Sequence, residues 1–383
     1  MAPSDHFRST LLALALGLGL APAALAGDPE PKAPEQKAPE QKTPEKTEAP
    51  KLGGVELAKA IEAAKSDEAR AKLIGQVTKL SAQEGDALVR WATQQREQGQ
   101  GWKYLAPALG AVASRAAILE IVAPLRAAQE HVDSSYVDEA CLGLRRCAPR
   151  LVFQALLGGL SERDIKVWMK HREVLIRLLS IGSRDRIRDL NEALEEFLRA
   201  AGEDLGRRER DRILERVEAV TGGLSVSLGE EPLDELLRAL DSQTIDTTLM
   251  LGLARGLRRR VTDLYEERIA ARVQELGLAN EGELGPDDIA GIKANLPQFA
   301  GRIWIFATHP ESSVRTEAFR IAPCVRIGLD ADWADVLIGA LAMNRPRDER
   351  DAAWGALKQL TGQKLRQNQP TWQQWWKTKG ATQ

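Results

Sequence analysis

Beyond its first few residues the chain holds three histidines, His131, His171 and His309, the side chains best suited to move protons near neutral pH or to ligate a transition metal. None stands four places from another. Neither Cys-x-x-Cys nor His-Glu-x-x-His spacing occurs, so a metal site would have to be assembled from distant residues. His309 precedes Pro310, which points to a capping or turn role. There is no Gly-x-Ser-x-Gly elbow, no Ser-x-x-Lys with supporting partners and no phosphate-cradling Gly-x-x-x-x-Gly-Lys loop. The acidic pairs Glu195-Glu196, Glu230-Glu231 and Asp287-Asp288 alternate with arginines or open helices, where carboxylates complement the positive helix end. These residues lead us to assign no catalytic, cofactor-binding or metal-ligating residue and to expect no cofactor. An enzyme built on this chain would need a site made from dispersed residues.

Two basic runs stand out, Arg207-Arg208-Glu209-Arg210 and Arg258-Arg259-Arg260. Glutamate dilutes the first. The second reads as the end of a helix, where cations face the negative pole. The formal net charge is -2, so nothing draws the chain as a whole toward nucleic acid. An anionic envelope polymer is the alternative ligand for Arg258–Arg260. Trp372, Trp375 and Trp376 fall at i, i+3, i+4 on one helix face, the pattern of a buried cap or of an aromatic platform for sugar rings. Cys141 and Cys147, six apart in a helical stretch, would be about 9 Å apart at about 1.5 Å per residue, beyond the roughly 7 Å reach of a disulfide unless the helix breaks. Together with Cys324 they are expected to be small buried residues.

The elements that must position these groups read as helices. The chain is 43% hydrophobic but only 5% aromatic, so its core is aliphatic. Leu190, Leu194, Phe197 and Leu198 form a stripe one helix face wide. Leu233, Leu236, Leu237 and Leu240 repeat the i, i+3, i+4, i+7 spacing, and Ile213, Val217 and Val220 approach it. Ser81 with Glu84 has the form of a capping box, as does Thr371 with Gln374. Turns are expected at Gly158-Gly159, Gly182-Ser183, Gly202, Gly222-Gly223 and Gly285-Pro286. Leu224–Leu228 alternates apolar and polar residues, as a short strand or an inter-helix loop would. Ile303–Phe306 reads as buried helix despite its β formers. Helix follows helix with no strand between, the signature of an all-α stack.

The N-terminus reads differently. His6 and Arg8 precede the apolar run Leu11–Leu20, and Ala24-Leu25-Ala26 places small residues where a signal peptidase cuts, so residues 1–26 are expected to be a signal peptide cleaved before Gly27. Its apolar core is about half the roughly 20 residues a membrane span requires. Residues 27–54 repeat Lys-Ala-Pro-Glu-Gln at 32–36 and 37–41 and hold almost no large apolar side chain, so a disordered tether is expected, either a spacer or passive sequence. The chain is expected to be exported, periplasmic or extracellular, and not transmembrane.

From residue 309 the chain repeats itself. A shift of 35 places sets Arg315 on Arg350, Ala318 on Ala353, Phe319 on Trp354 and Ala322 on Leu357. A Pro-containing turn, an arginine and apolar residues at helical spacing describe one helix of a stacked pair. The stretch Pro310–Gly380 resembles HEAT repeats. Leu360-Thr361-Gly362 followed by Trp372, Trp375 and Trp376 resembles the ending of exported bacterial HEAT-repeat proteins, whose last helix closes the array. Val137, Cys141, Leu142 and Leu144 echo Val314, Ala318, Phe319 and Ile321. The resemblance implies an all-α, irregular HEAT-like helical array (an α-solenoid): degenerate repeats over 55–308, clearer ones over 309–383, and a Trp-rich capping helix. The expected function is a non-catalytic interaction scaffold for another exported protein or peptide. The alternatives are a binder of envelope polysaccharide or anionic polymer, and the dispersed-site enzyme.

Overall fold

The computed structural model describes residues 52–99, 103–126, 134–201, 206–240, 244–325, 327 and 329–380. The expected signal peptide, nearly all of the tether, His131 and Gly202 lie outside the described residues.

The chain is all-α, and no strand occurs among the described residues. It opens with α1 (Gly54–Ala63), α2 (Asp67–Val77), α3 (Ala82–Glu97), α4 (Ala106–Val112), α5 (Arg115–Arg126) and α6 (Ser134–Leu144). There follow α7 (Pro149–Leu160), α8 (Ile165–Leu179), α9 (Ser183–Ala201), α10 (Arg207–Ser227), α11 (Glu230–Leu240) and α12 (Thr247–Leu276). The C-terminal part adds α13 (Pro286–Ala294), a 3₁₀ segment Gln298–Ile303, α14 (Trp304–Ala307), α15 (Ser312–Ile321), α16 (Ala331–Gly339), α17 (Arg347–Thr361) and α18 (Gln369–Gly380).

These helices pack in two rows, as a helical-repeat protein requires. One row runs α2, α4, α6, α8, α10, α12, α15, α17. The other runs α1, α3, α5, α7, α9, α11 and the 3₁₀ segment to α14. It continues to α16 through an edge-on contact of Trp304 with Trp333, ring centroids 5.0 Å apart, and on to α18. Most helices bury their stripes against neighbours in their own row and the facing one, so they depend on the stack for stability. The stripes are those of the sequence: Leu190, Ala193 and Leu194 in α9, and Leu233, Leu236, Leu237 and Leu240 in α11, are buried. Starts and stops are local. Ser81 and Glu84 close a complete capping box at α3, and Gly362 ends α17 at φ 70°. Glycine also stands at φ 70° in Gly182, between α8 and α9.

Several expectations are corrected. Gly222-Gly223 is no turn and Leu224–Leu228 neither strand nor loop: α10 runs unbroken to Ser227. The glycines serve a helix crossing instead. A Cβ on Gly256 of α12 would stand 2.2 Å from the Gly222 carbonyl oxygen, and one on Gly252 would stand 2.0 Å from Thr221 Oγ1. Gly158-Gly159 likewise lies inside α7, with the His171 ring on the bare Cα of Gly159. Arg258–Arg260 is mid-helix in α12, well short of its C-terminus. At α18 the capping side chain is Asn368, whose Oδ1 accepts from Thr371 N at 3.1 Å, so Thr371 is already inside the helix. Leu142, aligned with buried Phe319, is exposed. Ile303 and Phe306 are buried, but Trp304 between them reaches solvent. Gly54, set at the tether's end, is the first residue of α1 and is buried against α3.

Candidate functional site

The groups singled out in the sequence do not converge. His171 is wholly buried under α7; its Nδ1 donates to the Val167 carbonyl at 2.9 Å, and Nε2 has no partner among the described residues. Burial, reinforced by the nearby charges of Arg126 and Lys170, outweighs the Val167 hydrogen bond and pulls its pKa from 6.5 to about 4. A histidine held neutral against a glycine is a packing element. His309 Nδ1 accepts from Glu311 N at 3.1 Å, which is the expected turn chemistry. Cys141 and Cys147 are free and buried, and burial pushes their thiols up to about 11. Cys147 lies beyond the end of α6, so the pair does not share a helix. Cys324 is only half-buried. Among the described residues no cluster of three or more His, Cys, Asp or Glu comes together, and no helix is long and apolar enough to cross a membrane.

The carboxylates and arginines are largely structural. Glu230-Glu231 opens α11 and Asp287-Asp288 opens α13, as expected. Glu196 is taken by Arg150, and Glu195 accepts from Asn191 at 3.0 Å. Arginines recur as clamps on turn carbonyls. Arg212 donates to Ser161 O at 3.1 Å, Arg216 to Leu160 O at 2.6 Å and Arg260 to Ser225 O at 3.2 Å. Arg315 donates to His309 O at 2.7 Å and Arg350 to Met343 O at 3.4 Å, each holding the turn before its own helix. That use accounts for many arginines in a chain with no net basic charge.

The tryptophan cap is partly as expected. Trp372 is wholly buried, with Nε1 donating to Arg366 O at 3.0 Å, whereas Trp375 and Trp376 are only half-buried. Lys379 stands near both, its Nζ 5.6 Å from each ring centroid. Lys358 Nζ likewise stands 4.0 Å over Trp354.

The surface feature that the sequence reading missed is a groove of about 560 Å³ over α5, α7 and α9. Its apolar lining includes Leu119, 46% exposed, and Leu151, 37% exposed, beside half-buried Phe197. Arg115, Arg126 and Arg199 rim it. Arg126 donates to Ala155 O at 3.1 Å, but Arg115 and Arg199 have no hydrogen-bond or ion-pair partner among the described residues. The one carboxylate in the lining, Glu196, is engaged by Arg150 and Gln154. Beside the groove, α5 carries an inversion of burial that only the structure shows. Leu119 faces solvent while adjacent Glu120 is buried, accepting from Arg96 Nε at 2.5 Å and Thr93 Oγ1 at 3.0 Å. Exposed aliphatics beside unmatched guanidinium groups are suited to binding, and nothing in the groove resembles a catalytic constellation.

No protein-family model matches the sequence, and no curated protein matches it. Among solved structures, an engineered protein of the Northeast Structural Genomics Consortium is 16% identical, with 79% of this chain and 77% of that one covered and a TM-score of 0.25. A designed armadillo-repeat protein is 10% identical, with 71% of this chain and 100% of that one covered and a TM-score of 0.18. Superpositions this poor carry no argument. The fold assignment stands on the two-row helix packing of the chain itself.

Proposed function

We propose that this protein is a non-catalytic interaction scaffold that binds another protein or a peptide through the groove over α5, α7 and α9. The observation that carries the reading is the groove's composition, with aliphatic side chains left in solvent beside arginines that no described carboxylate neutralises. A helical-repeat array supports it, because stacked helices offer long surfaces whose side chains are not needed for the core. The occupant that fits is a segment with aliphatic residues for Leu119, Leu151 and Phe197 and a carboxylate for Arg115 or Arg199. The buried, neutral state of His171 and the turn role of His309 support the non-catalytic part of the reading.

The finer likeness of Pro310–Gly380 to HEAT repeats, and the export expected from residues 1–26, belong to the same proposal. N-terminal sequencing of the chain from its native host should then begin at Gly27, and an intact Met1 would contradict export.

The groove is tested by affinity capture from an extract of the native host. Wild-type protein is compared with a Leu119→Asp/Leu151→Asp variant and a control with Asp at Met343, a position 84% exposed and far along the chain. A partner held by wild type and control but lost by the groove variant supports the proposal. Identical captures from all three would reject it.

A further inference from the structure

The other row of helices carries a second groove of different chemistry, about 770 Å³, over α8, α10 and α12. Its lining includes Gly222 and Gly223 of α10, both half-buried, and Gly256 of α12, buried in the crossing of the two helices. The crossing is tight enough that no side chain fits between the helices, as the 2.2 Å approach at Gly256 shows.

The walls carry four arginines and two carboxylates, Glu218 and Asp263. Arg172 comes from α8, and Arg255, Arg258 and Arg259 come from α12. At about 100° per residue, consecutive arginines on a helix point in different directions. Arg260 turns inward, under the Ser225 carbonyl and over the Phe299 ring at 4.7 Å. Arg258 is held by Glu317 of α15, Nε to Oε2 2.6 Å, and Arg255 is held by Glu218 and, at 3.6 Å, by Glu317. Glu317 is buried, so these two arginines are fixed parts of the wall.

Arg172 and Arg259 are left over, one on each side. Arg172 has no hydrogen-bond or ion-pair partner among the described residues; its guanidinium lies over Gly223, where a Cβ would meet Nη2 at 2.8 Å. Arg259, 77% exposed, has only Asp263 at 3.9 Å, itself 69% exposed, a pairing too solvated to neutralise it. Between them Val226 is exposed and Ile176 half-buried, and no aromatic ring lines the groove.

We propose that this groove binds an acidic peptide segment, with carboxylates on Arg172 and Arg259 and an aliphatic side chain on Val226. Guanidinium groups contributed by the two helices that flank α10 match carboxylates borne by one segment, each able to accept in bidentate fashion. The exposed valine and the lack of stacking rings favour a peptide over an anionic polysaccharide. This site shares no residue with the groove over α5, α7 and α9, and neither proposal depends on the other.

The test titrates a fluorescein-labelled peptide of alternating glutamate and leucine into the full chain, by fluorescence anisotropy. The peptide should bind, and more weakly as salt is raised. Arg172→Glu/Arg259→Glu should weaken binding by about tenfold or more, while Asp263→Asn should tighten it. The Leu119→Asp/Leu151→Asp variant should bind this peptide as wild type does. Thermal melts establish that each variant is folded, and a variant that fails to fold is replaced by the single change Arg259→Glu, at the more exposed site. The proposal is overturned if the peptide does not bind or if the charge reversal leaves its affinity unchanged. It is also overturned if polygalacturonate binds more tightly than the peptide and loses that binding in the same variant.

Discussion

Arg315 of α15 grips Glu349 of α17 through two parallel hydrogen bonds, Nε to Oε1 at 2.7 Å and Nη2 to Oε2 at 2.9 Å, with the glutamate 1% exposed. The same guanidinium holds the His309 carbonyl, so one side chain joins two successive helices of its row and the turn that precedes the first. Removing one partner of a buried pair strands the other charge. Glu349→Ala should therefore cost about 3–5 kcal/mol in urea unfolding, whereas Arg315→Leu/Glu349→Leu should cost much less than the single change. A single variant as stable as wild type would mean the pair is solvated in solution.

The crossing of α10 and α12 makes glycine obligatory there. Ala is the better helix former by about 1 kcal/mol, so propensity alone predicts that Gly256→Ala stabilises. The 2.2 Å approach to the Gly222 oxygen reverses the sign, because the methyl group forces two backbones apart. Gly355 of α17 has nothing within 4 Å of its missing Cβ, so Gly355→Ala should show the propensity gain. Thermal melts of the two variants should move in opposite directions.

His171 gives the fold a pH dependence. Its folded pKa, about 4, lies below the unfolded value of 6.5, so the unfolded chain takes up the proton first. Above pH 6.5 the residue has no effect. As pH falls from 6.5 toward 4 it should remove about 1.4 kcal/mol of stability per pH unit, and the loss should level off below that. His171→Leu should flatten that part of the stability profile. An unchanged slope would assign the dependence to other groups.

Trp372 seals the end of the array. Trp372→Ala should cost about 3–5 kcal/mol, and half-buried Trp375 less. Because each repeat touches only its neighbours, hydrogen exchange should speed up in α16 and α18 and stay unchanged in α1 to α3. Uniform acceleration along the chain would show that the array unfolds as one cooperative block.

What was legible in the sequence was local. The Ser81–Glu84 box, the Gly362 stop and the leucine stripes of α9 and α11 each fit within a few residues, and the structure reproduces them. Gly222-Gly223 reads as a turn in a local window because a glycine pair has two uses. The one that applies here depends on Gly252 and Gly256, about 30 residues away, which no local window contains. Asn368 rather than Thr371 caps α18 because Pro370 is accommodated in the first turn of the helix, so α18 starts earlier than a Thr371 cap implies. Both grooves were invisible for a stronger reason. Each draws on three helices of one row, and an exposed leucine or unpaired arginine is ordinary until its neighbours are known.

The scaffold reading is tested most directly by photocrosslinking in the native host. A photoreactive benzoylphenylalanine is placed at position 151 in the groove, or at position 276 at the far end of α12 as a control with similar exposure. The account predicts a discrete crosslinked partner from position 151 that is absent from position 276 and is lost when Arg115 and Arg199 are reversed to glutamate. The same crosslinks from both positions, or a crosslink from 151 that survives the reversal, would contradict it.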